Sequence, residues 1–597
     1  MRHKDYRRTN RALLRPARLK LLFHFWLLSS VVLSALSPVI AQRFSLEEWA
    51  DETRATIDTV DDADLAEDTR FNAPVYLDLP GKDVEVGTRE DRERIAQTVA
   101  LYQALIGRDT IWSLLWTGVE SANPLTRDEQ YRWNSLRDQD LYDPEHRRKL
   151  TAILTRLGIV NLRIGMSNHE IDLADDATWH DHDALIQDLS NAGLNLSLDL
   201  HHFGIEDHFR VIAADGTTVG PKSYYLHPDW PDYFARFAGK AFARYGERLK
   251  GVTLINEPET TVGFASQIWN GGFPGWDSPL HHFYYIERAI QVAKAAVKAR
   301  MAIEADLRRS GHRMLFVHTE AAVYKPDWED FNRFIRFLPS DLILGQDWLM
   351  NANLNALAGM PMDEIVGQWQ RTSPEQRTSL DWMVENYVVS SQLERAREAN
   401  RKRLVGLLRD LRDLHLLLQE QYGKSMRADT VFAVDYYAHN EDQGPGGMML
   451  ESEPQYYAMQ IALGNRAGLY SVMVDYFNRY MMPIMVGETG TPYHHYGARW
   501  NQQLLLECAR AVKDGIPFLG YTIYPLIDTW GWETALSVPK DQTLLNPGGL
   551  FTLDLEVRPF VERLLQSLSG PIQPCGPSDS CPELEVSGKA ELAGESL

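Results

Sequence analysis

The chain has 597 residues, 44% hydrophobic and 24% charged, which describes a folded globular protein longer than one compact core requires. Its formal charge of −21 repels phosphate backbones and anionic lipid, and so argues against nucleic acid as a partner. Three cysteines at positions 508, 575 and 581 do not have the spacing of a zinc site.

The first forty-one residues read as a targeting segment. A basic start (Arg7, Arg8, Arg11, Arg15, Arg18, Lys20) precedes the mostly apolar run 21–36, and Ser37-Pro38-Val39-Ile40-Ala41 closes it with small residues. That order is the pattern of a secretory signal cleaved after Ala41. The expectation is therefore export to the periplasm or the extracellular space. An uncleaved signal anchor, tethering the chain to a membrane and facing outside, is the alternative, because the run is nearly long enough to span.

Residues 42–109 form an acidic, helix-prone N-terminal extension. From residue 110 to about 568 a β-rich apolar run, a loop and an amphipathic helix repeat. The runs are 110–118, 159–165, 194–201, 251–256, 314–319, 430–437, 483–487 and 517–524. Eight strands alternating with helices predict an α/β chain folded as a (β/α)8 TIM barrel. The fifth and sixth strands are unusually far apart. A helical insertion of about 343–425 fills the gap and is expected over the barrel rim, with a coiled-coil partner site as the other reading of its helix-periodic 380–422. The tail 569–597 is rich in Pro, Gly, Ser and Glu and reads as flexible.

Chemistry in such barrels sits where strands end. The fourth run stops at Asn256-Glu257-Pro258 and the seventh at Glu488-Thr489-Gly490. A glutamate directly after a buried strand starts out desolvated, so it is costly unless used or paired. For either residue alone, a structural salt bridge with Arg163 explains it as well. Two glutamates on opposed strands suit glycoside hydrolysis, which needs two carboxyl groups flanking one bond. In retaining enzymes these lie about 5–5.5 Å apart.

Several segments in consistent order resemble family 1 glycoside hydrolases, the β-glucosidase family of clan A. They are Asn256-Glu257-Pro258 with Trp269 to Gly275, Val486-Gly487-Glu488-Thr489-Gly490, Leu200-His201-His202-Phe203, Asp435-Tyr436-Tyr437, Gly158 to Ile164, and Ile527-Asp528-Thr529-Trp530-Gly531-Trp532. The resemblance implies a retaining hydrolase of β-glycosidic bonds without a cofactor or metal, acting on an oligosaccharide or glycoside. It implies Glu257 as general acid/base and Glu488 as nucleophile. It implies that Arg163 keeps Glu488 ionised, Tyr437 orients it, Asn256 bonds the sugar 2-hydroxyl, His202 bonds another glycone hydroxyl, and Trp532 stacks on the glycone. The sequence departs from the family in the sugar pocket. Glu120 stands near a glutamine position, either in its place or as a turn cap; Gly531 replaces a glutamate; Asp435 replaces an asparagine. Glycosidase chemistry is therefore better supported than glucosidase specificity. A non-catalytic sugar-binding barrel and another clan A glycanase or transglycosylase are the competing readings.

Overall fold

The structure is a computed structural model. It describes residue 46 and residues 81–107, 110–119, 134–206, 209, 224–267, 279–325, 328–389, 395–441, 454–491, 497–530 and 545–568. The targeting segment, Glu120, the segment from Trp269 to Gly275, Gly531, Trp532, Cys575, Cys581 and the tail lie outside the described residues.

Eight parallel strands close into one barrel: β1 Leu115–Gly118, β2 Asn161–Gly165, β3 Asn195–Asp199, β4 Leu249–Thr253, β5 Leu315–Ala321, β6 Thr430–Asp435, β7 Ile484–Thr489 and β8 Phe518–Ile523. Leu115 pairs with Tyr521, so β8 returns to β1 and no edge remains. The fold is the (β/α)8 barrel that the alternation predicted.

Around it run α1 Arg89–Leu105, α2 Pro144–Leu157, α3 His180–Asn191, α4 Trp230–Tyr245, α5 Pro258–Gln267, α6 Pro279–Ser310, α7 Leu338–Leu344, α8 Arg397–Tyr422, α9 Gly468–Tyr480, α10 Gly497–Lys513 and α11 Pro559–Leu568. Their ends follow local chemistry. Asp143 accepts from the His146 amide ahead of Pro144, and Gly158 ends α2 at φ 74°, which lets the chain turn directly into β2. In α4, Trp230, Phe234, Phe237, Ala238, Ala241 and Tyr245 recur at helical spacing and are all buried. Cys508 is buried within α10.

Three expectations change. The first strand was expected from Thr110, but residues 111–114 form a helical turn. Thr110 and Ser113 bond each other's backbone and side chains at 2.7–3.3 Å, and this outweighs the β preference of Ile111 and Trp112. The fourth strand stops at Thr253, so Asn256 and Glu257 stand beyond it, whereas Glu488 lies inside β7. The long helix of the insertion does not cover the rim. Helix α8 lies on the barrel's flank, parallel to α6. Arg403 reaches Glu287, Lys294 reaches Asp410 at 3.0 Å, and Arg308 covers the Tyr422 ring at 5.4 Å. Its apolar positions Leu404, Leu408, Leu411 and Leu418 are buried in the chain's own core, so they form no coiled-coil face.

The end of the barrel where strands begin is apolar and closed by α1. Leu101 and Tyr102 pack on Trp116, Leu315, Val431, Met485 and Leu519. The Tyr102 hydroxyl accepts from Trp116 Nε1 at 2.9 Å and donates to the Ser113 carbonyl at 2.8 Å. Replacing Tyr102 with Phe leaves a buried indole N–H and a carbonyl without this partner. The expected loss is about 1–3 kcal/mol in urea denaturation. Unchanged stability would show that α1 does not seal the barrel.

Candidate active site

The same strands turn polar toward their other ends. Along β6, Val431 and Ala433 sit in the apolar plug, and Asp435 follows at the same period of two. Arg163 on β2, Asp199 on β3, Asp435 on β6 and Glu488 on β7 are all buried, as is Glu257 after β4.

Arg163 is the hub. One terminal nitrogen, Nη1, donates to Glu488 Oε1. The other, Nη2, donates to Asp199 Oδ2 at 2.8 Å and to Asn256 Oδ1. Burial works against the guanidinium's charge, but Glu488, Asp199 and Asp435 outweigh it and hold its pKa well above the ordinary arginine value. Tyr437 donates its hydroxyl to Glu488 Oε2 at 2.8 Å. Burial, then the charge of Glu488, pushes the tyrosine's pKa well up, so it stays a donor. Both oxygens of Glu488 are thus held.

Asn256 and Glu257 are placed by a second set of contacts. The Asn256 amide donates to the His201 carbonyl at 2.9 Å, and Thr319 Oγ1 donates to Asn256 Oδ1 at 2.9 Å. Asn256 Nδ2 meets His202 Nε2 at 3.0 Å, while His202 Nδ1 lies 3.4 Å from Asp199 Oδ2. Glu257 takes φ 39°, a left-handed conformation unusual for a residue with a side chain. Its amide bonds Thr319 Oγ1 at 3.2 Å and its carbonyl accepts from Thr261 at 2.8 Å. Strain of this kind persists only where surrounding contacts enforce it, and it is found preferentially at functional sites.

The outcome is close approach. Oxygens of Glu257, Asp435 and Glu488 all lie within 4.8 Å of one another. Among the described residues this is also the carboxylate group that could hold a cation. Burial first, and the charge of Glu488 second, push the Glu257 carboxyl up to about 8. Asp435 is driven well above the usual carboxylate range by the same two causes, with Arg163 opposing them. Gly487 makes room for it: a Cβ there would stand 2.2 Å from Asp435 Oδ1.

The structure therefore brings together seven of the nine residues singled out in the sequence: Arg163, His202, Asn256, Glu257, Asp435, Tyr437 and Glu488. Glu120 and Trp532 lie outside the described residues. Sequence reading missed Asp199 and Thr319, which bridge Arg163, His202, Asn256 and Glu257. Asp199 carries a signal, a lone acid at the end of the alternating run Leu196-Ser197-Leu198-Asp199, obscured because that strand was drawn on to His201. His201 is structural. It is fully buried against Tyr225, Trp230 and Phe234, and burial lowers its pKa to about 3. His281, in the first turn of α6, is fully buried.

No family model matches the chain. In sequence it is similar to a β-galactosidase of Sulfolobus acidocaldarius, 22% identical over 402 residues, which cover 63% of this chain and 68% of that protein. Among solved structures it aligns with a family 1 β-glucosidase from Thermotoga maritima at 12% identity and a TM-score of 0.45, covering 78% of this chain and 99% of the other. The AHE enzyme from Alicyclobacillus herbarius aligns at 13% identity and a TM-score of 0.45, covering 76% and 97%. The chain is thus a distant sequence relative of a β-glycosidase, and the barrel stands on its own geometry.

The buried acid makes a testable demand on stability. A glutamate in the unfolded chain ionises near 4.5, whereas folded Glu257 does so near 8. The folded state favours the protonated form. That contribution is complete below pH 4.5 and is lost as pH rises toward 8. Wild-type stability should therefore fall relative to Glu257→Gln between these two values and level off above. A stability difference that does not vary with pH would contradict the raised pKa.

Proposed function

We propose that this chain is a retaining glycoside hydrolase of β-glycosidic bonds. One observation carries the reading: the carboxyl oxygens of Glu257 and Glu488 approach within 4.8 Å. That is the spacing class of retaining enzymes, about 5–5.5 Å between carboxyl groups, and leaves no room for the water an inverting enzyme places between its acids. The β-galactosidase named above adds support from sequence.

The two acids divide the work by environment. Glu488, gripped by Arg163 and Tyr437, is the nucleophile and attacks the anomeric carbon. Glu257 carries its proton up to about pH 8 and gives it to the departing oxygen. Forming the glycosyl ester removes the negative charge of Glu488, which was one cause of the raised pKa. Glu257, left as a carboxylate once its proton has gone to the departing oxygen, then takes a proton from an incoming water. That water attacks the anomeric carbon from the same face, breaks the ester bond to Glu488 and leaves Glu257 protonated again. Asn256 and His202, locked to each other and to Arg163 and Asp199, offer fixed polar groups to sugar hydroxyls. In the same proposal the N-terminal segment exports the chain, or anchors it facing outward, so that it meets glycosides outside the cytoplasm.

Glu257→Ala should lower kcat by roughly 10²- to 10⁴-fold on aryl β-glycosides. Azide should restore part of the rate and give a β-glycosyl azide. A 2-fluoro glycoside should label Glu488. The alkaline limb of kcat/KM should fall near pH 8. An α-configured azide product, or a label on another residue, defeats the retaining assignment. A Glu488→Gln variant that matches the wild type in rate returns the chain to the class of sugar-binding barrels.

A further inference from the structure

Four carboxyls surround one guanidinium in this site. Arg163 is bonded to Glu488 and Asp199, and Glu257 is the acid that keeps its proton. Asp435 is left over. It is fully buried, and neither carboxyl oxygen has a hydrogen-bond partner among the described residues. It is not turned away into the core, because one of its oxygens lies within 4.8 Å of those of both Glu257 and Glu488. A buried polar group without a partner is costly and calls for an explanation. A ligand group that satisfies it supplies one.

We infer that the site accepts a glycone bearing a free ammonium, a 2-amino-2-deoxy sugar, and that Asp435 is the side chain that selects it. The inference rests on the glycosidase reading for the place of the sugar. If Glu257 and Glu488 flank the anomeric carbon, a third carboxyl close to both lies beside that carbon's neighbours. In a pyranose these are the ring oxygen, which carries no substituent, and C2. The group nearest Asp435 is therefore the one on C2.

An ammonium suits the cluster better than a metal ion does. It has three donors and no fixed coordination shell, so it pairs with Asp435 without needing free oxygens on Glu488. Calcium takes about six to eight oxygens and magnesium a full octahedron, and both oxygens of Glu488 already accept from Arg163 and Tyr437. Charge balance agrees. Burial and Glu488 favour a proton on empty Asp435, and an amine arriving there forms an ion pair without adding net charge. The pairing also serves the reaction. An ammonium beside the anomeric carbon opposes the oxocarbenium-like transition state, and a neighbouring carboxylate offsets that repulsion.

The test compares aryl 2-amino-2-deoxy-β-glycosides, their N-acetylated forms and the parent aryl β-glycosides on the full chain and on Asp435→Asn. In the wild type, kcat/KM should favour the free amine by roughly ten- to hundredfold over both neutral forms. Asp435→Asn should erase that preference while keeping the wild-type circular dichroism. A wild-type preference for either neutral form overturns the inference and leaves the glycosidase reading standing, and so does a preference that survives in Asp435→Asn. If the variant does not fold, the comparison of free and acetylated amine on the wild type decides alone. If no glycoside is turned over, the glycosidase reading fails, and calorimetry decides the inference: glucosamine binding more tightly than glucose upholds it. Equal binding, or uptake of Mn²⁺ without glucosamine, overturns it.

Discussion

The site depends on placing one buried guanidinium among carboxyls. Taking a carboxylate out of water costs several kcal/mol, and only an opposite charge in good geometry makes it tolerable. Arg163 provides that charge, and its geometry limits which acids receive it. Its Nη1 bonds Glu488, and its Nη2 bonds Asp199 and Asn256. Glu257 stands a few ångströms away without such a bond, so burial and the charge of Glu488 keep its proton on. Two glutamates of identical chemistry are thereby held differently: Arg163 and Tyr437 grip Glu488, whereas burial keeps the proton on Glu257. The difference comes from which of them the arginine reaches.

Everything around Arg163 serves to hold it still. Asp199 ties it to His202, and His202 to Asn256. Thr319 then connects Asn256 to the backbone of Glu257. A closed loop of polar contacts therefore runs from β2 through β3 and β5 back to the strained turn after β4. Such networks are worth more than isolated bonds, because each member fixes the orientation of the next. The frame beneath is of the opposite character, an apolar plug sealed by α1. Along β6 the alternation of faces lets one inward face supply Val431 and Ala433 to the plug and Asp435 to the site. Stability and chemistry occupy opposite ends of one set of strands.

Much of this was legible in the sequence because it is encoded by near neighbours. The alternation of apolar runs and amphipathic helices specified the barrel. An acid where an apolar run stops marked Glu257 and Glu488, and the segments holding Arg163, His202, Asn256, Asp435 and Tyr437 were read by resemblance. The errors have a common cause. Thr110 and Ser113 make local hydrogen bonds that win over strand propensity. The helical pattern of residues 397–422 was read correctly, but a pattern states that a helix has an apolar face and not which surface covers it. Helix α6 covers it, on the flank.

What the sequence by itself determined is the set of elements and the chemical identity of each strand end, since hydrogen-bond periodicity and side-chain type are properties of the chain. Tertiary structure decided the separations. The approach of Glu257, Asp435 and Glu488 depends on closure of the barrel, on the register shift that sets Asp435 against Glu488, and on a left-handed turn at Glu257. Tertiary structure also decided that Asp199 shares the arginine and that Asp435 does not bond it. Coulomb energy and desolvation vary over ångströms, and the distances that set them arise only when strands far apart in the chain meet around a common axis.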